Sequence, residues 1–215
     1  MEFNLTDTQV RVLGCLIEKE MATPDYYPLS LNALVNACNQ KSNRDPVVSY
    51  GEATVLDALA GLLEQNWIGK TDVGRVAKYE QLLTGKFNMI AGEAAALCVM
   101  LLRGPQTAGE IRGRTDRLCR FSSLEEVAET IAGLEEMQLA RKLPKMPGRK
   151  EPRFTHLLSG MPDIPDSGAV AAIPEHAGAE STNERIEKIE ADISGIREEL
   201  ENLKELFLDF RRQFE

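Results

Sequence analysis

The segment from Asn39 to Arg44 brings together side chains that proteins use to bind nucleic acid. It has the sequence "NQKSNR" and directly follows an apolar helical pattern. Amide side chains can read base edges, and cations contact phosphates. The same residue types also form ordinary helix ends and turns. Two interpretations therefore stay open: a phosphate or base contact led by Lys41 and Arg44, or a hydrogen-bonded turn before Pro46.

Cations elsewhere extend the first interpretation to both halves of the chain. Four arginines lie close together in "IRGRTDRLCRF", and more basic residues fall in two predicted hairpins. Such a set would give salt-sensitive affinity for a phosphate backbone. The alternative is that these cations solubilise the surface or pair with glutamates. The predicted nucleic-acid-binding residues are Lys41, Arg44, Lys70, Arg75, Lys78, Arg112, Arg114, Arg117, Arg120, Arg141, Lys142, Lys145, Arg149 and Lys150.

The sequence contains no recognised catalytic motif. It lacks a phosphate-binding loop, a nucleophile elbow and a zinc-protease helix, and its two histidines are His156 and His176. None of the four cysteines forms a CxxC pair, so we expect buried free thiols in a reducing compartment. These features predict a non-enzymatic protein with no catalytic residues, no cofactor and no metal site.

Composition indicates a globular protein whose acidity lies mainly in its tail. Of 215 residues, 43% are hydrophobic and 27% charged, and the net charge is −9. Acidic residues predominate after Gly160, whereas the two signs nearly balance before it. Nucleic acid is therefore not excluded as a partner. There is no long apolar run and no secretion signal, so we expect a cytoplasmic protein without a membrane partner.

An internal repeat organises the first three quarters of the chain. The stretch "LAGLLEQNWIGK" from Leu59 resembles "IAGLEEMQLARK" from Ile131, and the flanking patterns also match. Each copy reads as three helices followed by two short strands. The prediction is an α+β fold, mainly α with small β-hairpin wings, formed by two tandem winged-helix domains at 1–85 and 86–158. We expect the copies to pack against each other.

The third helix of each copy argues against ordinary major-groove reading. No cation lies between Tyr50 and Asn66 or between Ser122 and Gln138, whereas both stretches contain acids. A winged helix normally places this helix in the major groove, where acids meet phosphates unfavourably. We therefore expect the wings and the second-helix region to contact DNA first, through the backbone.

The last quarter of the chain has a different pattern. Residues 159–181 are rich in Pro, Gly, Ala and acids, which predicts a flexible linker. Residues 182–215 predict an amphipathic helix with a heptad seam. Its apolar stripe is expected either to form a homodimeric coiled coil or to dock on its own chain. The seam consists of Ile186, Ile189, Ile193, Ile196, Leu200, Leu203, Phe207, Phe210 and Phe214.

Three strings, "RVLGCLIEKE", "TPDYYPLSLNALVNACNQKSNRDPV" and "LRGPQTAGEIRGRTDRLCRF", strongly resemble the YceH family of uncharacterised bacterial proteins. The resemblance runs from about Leu5 to Leu158 and implies tandem winged helices, with no established activity. Two functional hypotheses follow. The protein is DNA-associated and regulator-like, or it is an adaptor that uses tandem winged helices to bind another protein.

Overall fold

The computed structural model describes residues 3–72, 76–145 and 151–160. Its first half contains α1 (Asp7–Ala22), a 3-10 turn (Pro24–Tyr26), β1 (Leu29–Ser30), α2 (Leu31–Cys38), α3 (Glu52–Glu64), β2 (Ile68–Thr71) and β3 (Lys78–Gln81). After α4 (Leu83–Lys86), the second half contains α5 (Ala91–Arg103), α6 (Ala108–Arg114), α7 (Leu124–Glu136), β4 (Ala140–Lys142) and β5 (Phe154–His156). Helices combined with small antiparallel sheets make the predicted α+β fold.

Four helices begin at hydroxyl side chains that cap exposed backbone N–H groups. Thr6 accepts a hydrogen bond from the third residue of α1, and Ser30 and Thr107 cap α2 and α6 in the same way. Ser123 caps α7 by accepting a hydrogen bond from the backbone N–H of Glu126. Each such cap stabilises its helix by about 1 kcal/mol.

The two small sheets have similar strand arrangements. In the first sheet the strand order is β1-β3-β2, all antiparallel, with Ile68 opposite Gln81. In the second sheet β4 pairs with β5, and an isolated bridge from Gln106 to Phe154 takes the place of β1. Strand β1 was not predicted, because a strand of two residues is too short to show an alternating pattern.

Single residues show the internal repeat. Leu59 and Ile131 are each 1% exposed and occupy corresponding places in α3 and α7. A Cβ atom on Gly61 would collide with the side chain of Gln9, and a Cβ atom on Gly133 would collide with that of Glu93. Gln9 and Glu93 are the third residues of α1 and α5. Each half therefore joins its first and third helices through a glycine that no larger residue can replace without rearrangement.

The halves meet along α1 and α5. A Cβ atom on Gly14 would lie 2.9 Å from Leu102 Cδ2 and 3.1 Å from Leu101 Cβ, so the missing side chain of Gly14 favours a close approach of the two helices. The Cys98 thiol donates to the carbonyl oxygen of Gly14 at 3.5 Å. Gly14 and Cys98 are corresponding residues when "VLGCLIEKE" is aligned with "ALCVMLLRG". Corresponding positions therefore contact each other, as they do in a two-fold symmetric dimer.

Several predicted features lie outside the described residues. They are the cations Arg75, Arg149 and Lys150, the linker 159–181 after Gly160, and the heptad helix 182–215. Buried apolar side chains from both halves form one hydrophobic core.

His156 on β5 gives the fold a predicted dependence on pH. The imidazole is largely buried, and its Nδ1 atom has no hydrogen-bond partner among the described residues. Burial lowers its pKa to about 4, partly opposed by the charge of Asp7. Because an unfolded histidine binds protons with a pKa of about 6.5, stability should be complete above that pH and fall on acidification towards about pH 4.

The expected loss between about pH 7 and about pH 5 is about 2 kcal/mol in the free energy of unfolding. Urea titrations at both pH values measure it for the natural protein and for His156→Gln, which does not titrate. The variant should lose less stability over this interval. An identical loss in both proteins would contradict the assignment to His156.

Candidate anion-binding cleft

A cleft of about 1050 Å³ lies between the C-terminal ends of α1 and α5. The loop between α2 and α3 forms one wall, and the end of α6 with the turn after it forms the other. Amide and hydroxyl groups from Thr23, Gln40, Ser42 and Asn43 contribute to the lining. The cations that line it are Lys19, Lys41, Arg103, Arg114 and Arg117, and the acids are Glu18 and Asp116.

Corresponding segments of the two repeats face each other across this cleft. Lys19 lies in the last turn of α1, and Arg103, its counterpart in the aligned repeat, is the last residue of α5. The loop after α2 faces the turn after α6 in the same manner. Two hydrogen bonds join the halves here, from Asp45 N to the Leu102 carbonyl at 2.9 Å and from Arg103 Nη2 to Asn43 Oδ1 at 2.7 Å. The cleft therefore follows from the packing of α1 on α5.

Asn39, the first residue of the segment 39–44, is bonded to the backbone. Its Nδ2 atom donates to the carbonyl oxygen of Tyr50 at 2.8 Å, and its Oδ1 atom accepts from the Tyr50 N–H at 2.7 Å. Both polar ends of the amide are thus bonded to the backbone just before α3. Asn39 therefore fits the predicted hydrogen-bonded turn that precedes α3.

Arg44 is not at the surface, which corrects the expectation that it contacts phosphate. Its side chain is 0% exposed and forms a two-pronged pair with Glu18, with Nη1 at 2.9 Å from Oε1 and Nη2 at 2.6 Å from Oε2. It also donates to the carbonyl oxygens of Ala37 and Asn43 and to Gln40 Oε1. The buried guanidinium therefore stabilises the loop between α2 and α3.

Lys41 and Arg117 differ from Arg44 because both are exposed. Neither has a hydrogen bond or an ion pair with another described residue. Together with Arg114, they are the predicted binding residues that the cleft brings together. Lys19 and Arg103 were not predicted as binding residues. Their matching positions in the last turn of the repeated first helix could have indicated that both face the same cleft.

The remaining predicted cations lie away from the cleft lining or have local roles. Lys70 pairs with Asp72 at 3.1 Å on the first hairpin, where Lys78 is exposed. Arg112 donates to the carbonyl oxygens of Phe121 and Ser122 and so fixes the approach to α7. Arg120 is exposed in the preceding segment. A separate pocket of about 350 Å³ on the second hairpin contains Arg141, Lys142 and Lys145.

The charges of the cleft influence one another. Burial would raise the pKa of the Glu18 carboxyl, but the hydrogen bonds and charge of Arg44, with help from Lys19, lower it below its usual value. Burial and the nearby charge of Arg114 lower the pKa of Arg103. Burial is the larger cause, and the contribution of Arg114 adds a repulsion between two cations that line the cleft. An anion entering the cleft would relieve that repulsion.

The chemistry available in the cleft is anion binding. Lys41 and Arg117 offer charged N–H donors, and Ser42 adds a hydroxyl group. Within residues 3–72, 76–145 and 151–160, no group of three His, Cys, Asp or Glu side chains could hold a metal ion. Over the same residues, no helix is long and apolar enough to cross a membrane.

Comparisons with known proteins identify relatives of the chain. Residues 5–149 match a family described as "Protein of unknown function, DUF480". A UPF0502 protein of Citrifermentans bemidjiense is 51% identical over 197 residues, which cover 90% of each chain. UPF0502 proteins of Solibacter usitatus and Geobacter sulfurreducens are each 46% identical and aligned over the full length of both chains. The resemblance to the YceH proteins is thus confirmed, and the chain belongs to the DUF480 (UPF0502) family of uncharacterised bacterial proteins.

Proposed function

We propose that this protein is a non-enzymatic, tandem winged-helix protein that binds the phosphate backbone of DNA through the cleft between its repeats. The observation that carries the proposal is the convergence of five cations from both repeats on one concave surface. Two of the five, Lys41 and Arg117, are exposed and have no partner among the described residues. A phosphate oxygen would accept hydrogen bonds from both.

The third helices support backbone contact over base reading. The exposed side of α3 carries Glu52 and Asp57, and that of α7 carries Glu125, Glu129 and Glu136. Neither helix contains a cation. Phosphates would be repelled from both helices and attracted to the cleft. The protein would then bind DNA with little sequence preference, as an architectural or regulator-like protein of the cytoplasm.

A salt series on DNA binding tests the proposal. Fluorescence anisotropy with a labelled generic duplex should give a Kd that weakens steeply from about 50 mM to about 200 mM salt. The double variant Lys41→Glu with Arg117→Glu should raise Kd by about tenfold or more and lower the salt slope by about two. Both side chains are exposed, so the variant should fold normally.

The matched control is Lys70→Glu with Lys78→Glu on the first hairpin. It changes the net charge of the protein by the same amount at a place outside the cleft lining. A smaller loss of affinity in the control locates binding in the cleft. Equal losses in the two double variants would show a response to overall charge only. No retained DNA at about 50 mM salt would refute DNA binding.

Exposed apolar residues on the third helices support the second candidate, a protein adaptor. Leu56 on α3 is 43% exposed, and Leu124 at the start of α7 is 47% exposed. Each lies among acidic side chains, and such a mixture suits a basic, partly apolar protein partner. Recovery of a partner that survives DNase and is lost in Leu56→Lys with Leu124→Lys would favour this function over DNA binding.

A further inference from the structure

A cluster of buried ionisable groups lies beneath the loop that lines the cleft. It comprises Arg11, Cys15 and Glu18 of α1, Cys38 at the end of α2, and Arg44 of the loop, and all five are buried. Arg44 Nη2 lies 3.5 Å from Cys15 Sγ. The same Nη2 atom donates to the carbonyl oxygen of Ala37, the residue before Cys38, at 3.0 Å. The two thiols also shift each other's pKa, lowering that of Cys15 and raising that of Cys38. Helices α1 and α2 thus bring two cysteines to one guanidinium.

The cluster contains more positive than negative charge. Glu18 is the carboxylate that pairs with Arg44, and Lys19 also binds it at 3.1 Å from the cleft side. Arg11 donates through Nη2 to the carbonyl oxygen of Pro46 at 2.6 Å. Its Nη1 atom is buried with no hydrogen-bond partner among the described residues. Because uncompensated buried charge is costly, a thiolate in this cluster would be stabilised.

Cys15 is the thiol best placed to carry that negative charge. Burial would raise its pKa, but the hydrogen bond with Cys38 and the charge of Arg44 lower it below the ordinary value. Cys98, the third buried thiol, donates to the carbonyl oxygen of Gly14, and burial raises its pKa. Since a thiolate is the nucleophilic form of cysteine, Cys15 is the reactive member of the group.

We propose that Cys15 and Cys38 form a redox-active thiol pair that small hydroperoxides oxidise to a disulfide. The Cys15 thiolate attacks one peroxide oxygen, the O–O bond breaks, and the departing hydroxide takes a proton to become water. The resulting sulfenic acid is attacked by the Cys38 sulfur, so that the S–S bond forms and the S–O bond breaks. The second water leaves with the Cys38 proton. Two thiols lose two electrons, and one peroxide is reduced to two waters.

The cleft gives a small oxidant a route towards the pair. Glu18 and Cys98 line the cleft, and Glu18 contacts the same guanidinium that touches Cys15. The reactive sulfur therefore lies one side chain behind the cleft wall. A peroxide molecule is close to water in size, and we expect it to reach Cys15 during local openings of the loop over residues 39–46.

Oxidation should also change the loop that lines the cleft. A disulfide removes the negative charge beside Arg44, and Arg44 is the residue that holds Gln40 and Asn43 in place. The loop should then loosen and present Lys41 less favourably. This regulatory part rests on the proposed binding of DNA in the cleft, whereas the oxidation itself does not.

The first test is carried out on the full, unmodified chain. Reduced protein is treated with one equivalent of hydrogen peroxide, unfolded, alkylated and digested. Mass spectrometry should then detect a peptide linked through Cys15 and Cys38, with the loss of two of the four free thiols. Cys119, which is less buried than the other three, is the internal control. Oxidation of Cys119 without a Cys15–Cys38 link would overturn the proposal.

Variants separate the roles of the two sulfurs. In Cys38→Ser, Cys15 should stop at the sulfenic acid, which a dimedone probe labels. Cys119→Ser should still form the disulfide at the natural rate. If Cys38→Ser does not fold, the linked peptide from the natural chain remains decisive. A dimedone label on Cys15 that is equally strong in the natural protein would show that Cys38 does not resolve the intermediate.

DNA anisotropy on the oxidised and reduced proteins tests the regulatory part. The oxidised form should bind about tenfold more weakly, and dithiothreitol should restore the affinity. Equal affinity of the two forms would overturn the effect on the cleft. If neither form binds DNA, the proposed function fails, while a linked Cys15–Cys38 peptide still establishes the thiol pair.

Discussion

Replacing Arg44 with alanine should lower the free energy of unfolding by about 3–5 kcal/mol. The side chain is fully buried, and its removal would leave the Glu18 carboxylate in the interior with Lys19 as its remaining cation. The carbonyl oxygen of Ala37 would lose both of its donors from Arg44. Loss of the two-pronged partner of a buried carboxylate accounts for most of the expected destabilisation, and the unsatisfied carbonyl adds to it.

Urea unfolding followed by circular dichroism measures this effect. Lys41→Ala is the matched control, because Lys41 lies in the same loop but is exposed. It should change stability by less than about 0.5 kcal/mol. Glu18→Gln should fall between the two, since the amide still accepts one hydrogen bond from Arg44. A loss below about 1 kcal/mol for Arg44→Ala would contradict a structural role for the buried pair.

The second large effect is expected at the two equivalent core positions. Leu59→Ala and Ile131→Ala should each cost about 2–5 kcal/mol, because each removes a fully buried aliphatic side chain and leaves a cavity. Leu56→Ala is the control, since it removes a leucine from the same helix as Leu59 at a partly exposed place. Its cost should stay below about 1 kcal/mol.

The unfolding curves of these variants also test how the repeats are coupled. Side chains from both halves belong to one hydrophobic core, and α1 packs directly on α5. Both variants should therefore shift the same cooperative transition, whichever probe follows it. Two separate transitions, with each variant moving only one, would show that the halves are stable independently.

The repeat and the helix starts could be predicted from the sequence because both depend on local patterns. Thr6, Ser30 and Thr107 cap helices where a hydroxyl residue precedes an apolar periodic segment. The helix α4 was not expected, because four residues are too few to show helical periodicity. The similar sequences that begin at Leu59 and Ile131 predicted that both residues are buried, because core positions keep their spacing in a repeat.

The candidate site was predictable only in part. Lys41 and Arg44 are close in sequence and chemically alike, yet one is exposed and the other is buried against Glu18. That partner lies on a different helix, and a single sequence does not reveal such a long-range pair. Lys19 and Arg103 lie in the last turns of helices whose other residues are mainly apolar and buried. Their position on the cleft depends on how α1 packs against α5, which the sequence alone does not show.

The close contact at Gly14 has a consequence for how any ligand would encounter this protein. The cleft resembles the groove of a symmetric dimer, but one polypeptide supplies both of its walls. Dilution cannot take it apart, so affinity measured at nanomolar protein should equal affinity measured at micromolar protein. Because the two walls belong to one chain, they need not be identical: Glu18 anchors the buried Arg44, whereas Leu102 lies at the corresponding place in α5.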